Sequence, residues 1–86
     1  MPSPTKEDYL EKIWLLHTER GFARTSDLAE QMNVRPSTVS RMMRRLYELG
    51  LVVYRKYRKI TLTEKGVRLA QIICGKHRIL ENFLFV

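Results

Sequence analysis

Asn33 and Pro36 stand between two short apolar stripes, and no other feature of the chain restricts its fold as much. Leu28, Ala29 and Met32 recur at helical spacing before them, and Val39, Met42, Leu46 and Leu49 do the same after them. Among non-glycine residues, Asn best tolerates the left-handed backbone of a tight turn. Pro suits the first turn of a helix, where its missing N–H would have no partner anyway. The pair therefore predicts a helix, a tight turn and a second helix over residues 25–44. Small Ala29 lets the helices approach closely, and Val34, Val39 and Met42 are expected in the core. Such a helix-turn-helix presents the N-terminal part of its second helix to a DNA major groove roughly 12 Å wide.

The flanking sequence completes a winged version of this unit. Leu10, Ile13, Trp14 and Leu16 or His17 mark a first helix, with Ser3 and Pro4 as its expected start and Gly21 near its end. Thr25 is the expected cap of the second helix, and Asp27 lies in its first turn, where the helix dipole favours negative charge. Gly50 is placed to close the third helix as a left-handed cap. Residues 51–54 and 59–62 are rich in β-branched and aromatic side chains around the polar Arg55 to Arg58, which predicts a hairpin. Thr63 can cap a last helix whose Leu69, Ile72, Ile73, Leu80, Phe83 and Leu84 form a broad apolar surface. The expected fold is mainly α with a small β-hairpin. A winged helix-turn-helix DNA-binding domain occupies residues 1–62, with its wing at 51–62, and a long helix follows over 63–86.

Charge points to the partner. Sixteen Lys and Arg against nine Asp and Glu give 86 residues a formal net charge of +7, which favours a polyanion. The basic residues concentrate between Arg35 and Arg58, whereas the acids lie mostly toward the start. Ser37, Thr38 and Arg41 are candidates for reading base edges, and Arg41 could donate two hydrogen bonds to guanine. Arg35, Arg44 and Arg45 are candidates for phosphates, with Pro36 and Ser40 on the same helix and Arg55, Lys56, Tyr57 and Arg58 as wing contacts. The competing reading makes these arginines a solvated face of a metal-independent winged-helix module that docks a protein through its last helix. Clustering of Arg41, Arg44 and Arg45 with only Glu48 nearby favours double-stranded DNA.

Four segments together resemble the diphtheria-toxin-repressor family of metal-dependent transcription regulators, most closely its manganese transport regulator branch. They are Glu7-Asp8-Tyr9-Leu10-Glu11, Arg35-Pro36-Ser37-Thr38-Val39-Ser40, Leu62-Thr63-Glu64-Lys65-Gly66, and Lys76-His77-Arg78 followed by Glu81. The resemblance implies that Asp8, Glu11 and His77 bind the regulatory metal and that Glu81 matches a ligand position of an ancillary site in the iron-responsive branch. It also implies a homodimer, with residues 63–86 leading into a helical dimerisation domain that lies largely outside this chain, and a role as repressor of metal-uptake genes.

The chemistry of these positions is reasonable in itself. Residues three apart on a helix share a face, so Asp8 and Glu11 can present oxygens to one cation while His77 adds an imidazole nitrogen. Iron-responsive relatives have Met where this chain has Asp8, and a hard carboxylate in place of a thioether shifts preference toward Mn²⁺, with Fe²⁺, Co²⁺ and Zn²⁺ as alternatives. Plainer roles exist for each. Asp8 can complete a capping box with Thr5, Glu11 can be a solvated acid beside Lys12, and His77 with Glu81 can be an intrahelical pair.

Other classes fit poorly. No apolar stretch approaches the ~20 residues of a membrane span and no signal peptide opens the chain, so a cytoplasmic protein is expected. There is no Gly-rich phosphate loop and no nucleophile with a paired base, and His17 and His77 are the only histidines, which argues against an enzyme. His17 is expected to be a partly exposed helix residue. Cys74 stands alone, excluding an intrachain disulfide, and is expected as a small hydrophobe on a helix.

Overall fold

A computed structural model describes residues 4–55 and 58–85, with side chains described over 4–55 and 58–75. Its elements run α1 (Lys6–Arg20), β1 (Ala23–Arg24), α2 (Thr25–Met32), α3 (Pro36–Glu48), β2 (Val52–Arg55), β3 (Lys59–Leu62) and α4 (Glu64–Phe85). This is the expected winged helix-turn-helix followed by a long helix.

Helix α1 starts later than expected, with Thr5 as its N-cap. Thr5 Oγ1 accepts from the Asp8 N–H at 3.2 Å, and Asp8 Oδ2 accepts from the Thr5 N–H at 2.8 Å. Two otherwise unpaired donors are thereby satisfied reciprocally. The helix ends as expected at Gly21 (φ 85°), whose N–H donates to the His17 carbonyl at 2.8 Å. Thr25 is not the cap of α2. Arg24 occupies that position in extended conformation, because Asp27 reaches back three residues to accept the Arg24 N–H at 3.2 Å. Asn33 takes the left-handed conformation predicted for it (φ 55°, ψ 48°), and Pro36 opens α3.

The core face of α3 differs by one residue from the expected stripe. Val39, Met43 and Leu46 are fully buried, whereas Met42 only packs against the core's edge and Leu49 is 45% exposed. Two adjacent methionines leave the choice to tertiary packing, and Leu49 lies beyond the last helical residue. There the chain closes with paired bonds from the Gly50 N–H to the Tyr47 carbonyl and from the Leu51 N–H to the Leu46 carbonyl, both 2.9 Å, with Gly50 left-handed at φ 75°.

The wing hairpin belongs to a three-stranded antiparallel sheet of order β1-β3-β2. Val52 to Arg55 pair with Leu62 to Lys59, and the unanticipated β1 pairs Ala23 with Ile60 and Arg24 with Lys59. Thr63 then caps α4, its Oγ1 accepting the Gly66 N–H at 3.0 Å and donating to the Gly50 carbonyl at 2.6 Å. Lys65 Nζ donates to the Leu49 carbonyl at 3.1 Å, so the first turn of α4 satisfies the carbonyls at the end of α3.

One core joins every element. It contains Tyr9, Leu10, Ile13 and Leu16 from α1, Leu28 from α2, Val39, Met43 and Leu46 from α3, Val52 and Ile60 from the sheet, and Ala70 and Ile73 from α4. Each large apolar side chain buried this way contributes about 1.5–3 kcal/mol. The expected broad apolar surface of α4 is only partly internal: Ile73 is buried but Leu69 and Ile72 are exposed, while the side chains of Leu80, Phe83 and Leu84 lie outside the described residues. His17 is half-buried and stacked on Trp14, and Cys74 is half-buried on α4.

Candidate nucleic-acid interface and metal-ligand set

Because α3 turns Val39, Met43 and Leu46 inward, Arg35, Pro36, Ser37, Thr38, Ser40, Arg41, Arg44 and Arg45 all emerge exposed around its N-terminal and outer faces. The two ion pairs found among the described residues, Arg20 with Asp27 and Arg68 with Glu64, lie elsewhere. The charges on α3 thus face solvent beside the helix start that a helix-turn-helix presents to DNA. Tyr47 of α3 and Tyr54 of β2 are 5.7 Å apart between ring centroids, tying the helix to the wing. Burial pushes the Tyr54 phenol up, and the nearby Arg44 partly offsets this.

On the wing, Arg55 ends β2 and Arg58 is exposed with a left-handed backbone (φ 59°). Lys56 and Tyr57 lie outside the described residues. Arg58 shares an open groove of about 350 Å³ with Arg24, Thr25, Ser26 and Pro36, so the wing and the start of α3 border one space. Arg24 was not among the sequence candidates. Neither was Lys59, whose Nζ lies 4.5 Å from the centroid of the Phe22 ring, with the Arg20 and Arg24 guanidiniums each 5.2 Å from the same centroid. The alternation of Arg20, Phe22 and Arg24 was the available signal, but a two-residue strand is too short to be read by periodicity.

Asp8 and Glu11 lie on one face of α1 and line a shallow recess of about 170 Å³ with Lys12, Leu15 and Met32. Two carboxylates in an open, solvent-reachable hollow provide hard oxygen donors, which fit a hydrated divalent cation such as Mn²⁺. Asp8 already has a structural task in the helix cap, through Oδ2. The side chains of His77 and Glu81 lie outside the described residues. Among the described residues, no three His, Cys, Asp or Glu side chains converge into a metal-holding group. Helix α4 packs against α1, and Trp14, Leu15, Thr18, Gln71, Cys74 and Gly75 line the groove between them, two residues before His77.

Residues 1–60 match the family model described as iron dependent repressor, N-terminal DNA binding domain. The chain belongs to the iron dependent repressor family. It is 46% identical over 84 residues to the HTH-type transcriptional regulator MntR of Lysinibacillus sphaericus, covering 98% of this chain and 60% of that relative. The metal-dependent transcriptional regulator MtsR superposes with a TM-score of 0.86 at 32% identity, over 96% of this chain and 39% of that one. The manganese regulator SloR gives 0.80 at 37% identity over the same shares. The chain therefore spans about three fifths of the length of its MntR relatives. These iron dependent repressor relatives are regulators of transcription, not enzymes, and among the described residues no helix is long and apolar enough to cross a membrane.

Proposed function

We propose that this chain is the DNA-reading part of a manganese-responsive transcriptional repressor of metal-uptake genes, acting in the cytoplasm as a homodimer. The observation that carries the reading is the outer face of α3, where Ser37, Thr38, Ser40 and Arg41 near the helix start and Arg44 and Arg45 further along are exposed, with none of these arginines in an ion pair among the described residues. Ser37, Thr38 and Arg41 read base edges, while Arg35, Arg44, Arg45, Arg55 and Arg58 hold phosphates, with Lys56 and Tyr57 completing the wing. Two such helices must stand about 34–36 Å apart to enter successive major grooves.

The names of the MntR and SloR relatives and the two carboxylates that line the recess favour Mn²⁺. Asp8 and Glu11 hold the α1 end of the ligand set and His77 and Glu81 the α4 end, with α4 leading toward the dimerisation helices. When bound, a divalent cation supplies a positive link between these donors, which raises the population of the correctly spaced dimer. Fe²⁺, Co²⁺ and Zn²⁺ compete for the same atoms, so cellular availability selects among them.

Fluorescence anisotropy with a labelled duplex from upstream of a manganese-transporter gene of the source genome tests this directly. Binding that tightens when Mn²⁺ replaces EDTA, and weakens steeply with salt, is the expected result. Equal binding in both conditions would remove the metal switch. Loss of all DNA binding would favour a protein-docking winged helix.

A further inference from the structure

We propose that Phe22, Arg24 and Lys59 form a second phosphate-gripping surface, which holds the DNA backbone beside the groove entered by α3. The proposal rests on the DNA-binding reading above and adds Phe22 and Arg24, just before and within β1, and Lys59, the first residue of β3, to the candidates on the recognition helix and the wing turn.

Arg24 and Lys59 are directly opposite one another in the β1–β3 ladder, a pairing of like charges that destabilises a sheet. Both nevertheless lean on one ring, Lys59 Nζ at 4.5 Å and the Arg24 guanidinium at 5.2 Å from the Phe22 centroid, and Arg20 joins them at 5.2 Å. Asp27 is committed to Arg20 and to the Arg24 backbone N–H. An acidic partner would order these side chains by neutralising them. An aromatic face orders them and leaves the charge intact, which lowers the entropy lost when an anion binds.

Position supplies the rest. Arg24 also lines the groove shared by Thr25, Ser26, Arg58 and Pro36, the first residue of α3. An anion seated there touches the start of the base-reading helix and Arg58 in the wing turn together. Contacts to phosphates position a protein without reading sequence, so Arg24 in this groove and Lys59 beside it on the Phe22 ring contribute affinity and register without sequence preference. Phe22 is a positioning residue that acts through the two cations.

The test is duplex binding across a salt series, with Mn²⁺ present, for the whole chain and for Arg24→Gln, Lys59→Gln, Phe22→Leu and Phe22→Tyr. Each Gln variant is expected to reduce the steepness of log K against log salt by about 0.9, the share of one phosphate. Each should weaken operator and scrambled duplexes by the same factor, with no fall in Tm, because a like-charge pair has been relieved. Phe22→Leu should weaken both duplexes and Phe22→Tyr should restore them, since Leu keeps the apolar bulk but loses the ring. Unchanged salt slopes, sequence-selective losses, or losses that merely follow Tm would overturn the proposal while the unsubstituted chain still binds. Failure of the unsubstituted chain to bind any duplex would overturn the DNA-binding reading and this proposal with it.

Discussion

Asp8 and Thr5 exchange hydrogen bonds, the Asp8 carboxylate accepting the Thr5 N–H at 2.8 Å and the Thr5 hydroxyl accepting the Asp8 N–H at 3.2 Å. A proposed metal ligand is therefore also a helix cap, and replacing it confounds two effects. Asp8→Ala is expected to cost about 1 kcal/mol of stability, as loss of a cap does, and to abolish the response to Mn²⁺. Thr5→Ala should cost a similar amount and keep the response. Thermal melts and duplex anisotropy with and without Mn²⁺ on both variants separate the roles, and an intact response in Asp8→Ala would remove Asp8 from the ligand set.

Gly66 is required by a close approach. A Cβ there would stand 2.1 Å from the Leu51 carbonyl oxygen and 3.2 Å from Leu62 Cδ2, and that carbonyl already accepts the Thr63 N–H at 3.0 Å. In an open helix, exchanging Gly for Ala gains about 1 kcal/mol. Here Gly66→Ala is expected to destabilise by about 1–3 kcal/mol, since α4 must be pushed off the Leu51 backbone that joins α3 to β2. A circular-dichroism melt should show a lower Tm; an unchanged or higher one would mean that α4 docks more loosely.

The turn chemistry was the most legible part of the sequence. Pro36 is restricted to a helix-start φ, whereas Gly21, Gly50 and, at some cost, Asn33 are the residue types that accept a left-handed backbone, and each does what its chemistry allows. Packing was less legible. Met42 and Met43 are the same residue type, and only the packing of α2 and β2 against α3 decides that Met43 is buried. Met43→Ala is accordingly expected to cost about 2–5 kcal/mol and Met42→Ala distinctly less, a difference that urea denaturation would resolve. The candidate interface divides similarly. The outward residues of α3 follow from helical spacing, whereas Arg24 and Lys59 become neighbours only through the register of a two-residue strand.

Tyr9 links the core to alkaline stability. Its ring is buried, its hydroxyl has no hydrogen-bond partner among the described residues, and burial pushes the phenol above its ordinary value of 10.0. The unfolded chain therefore loses this proton before the folded one does. The Tyr9 contribution is fully present below pH 10 and is lost as pH rises through the higher folded value. Tyr9→Phe should leave the neutral-pH Tm unchanged or raised, since an unpaired buried hydroxyl is removed, and should flatten the decline of Tm above pH 10. A decline as steep as in the unsubstituted chain would assign the alkaline loss to other groups.

Arg41 and Arg45 should separate base reading from phosphate gripping on one helix. Both are exposed, but Arg41 lies one turn into α3, near Ser37 and Thr38, whereas Arg45 stands in the last turn beyond the reach expected for base edges. Arg41→Ala is expected to lose about 1–3 kcal/mol of discrimination at one guanine position while scrambled duplexes are affected far less. Arg45→Ala should weaken every duplex by the same factor and reduce the salt slope by about 0.9. Competition binding against single-position operator variants distinguishes the two. Equal losses on operator and scrambled DNA for Arg41→Ala would move Arg41 to the phosphates and leave Ser37 and Thr38 to read sequence.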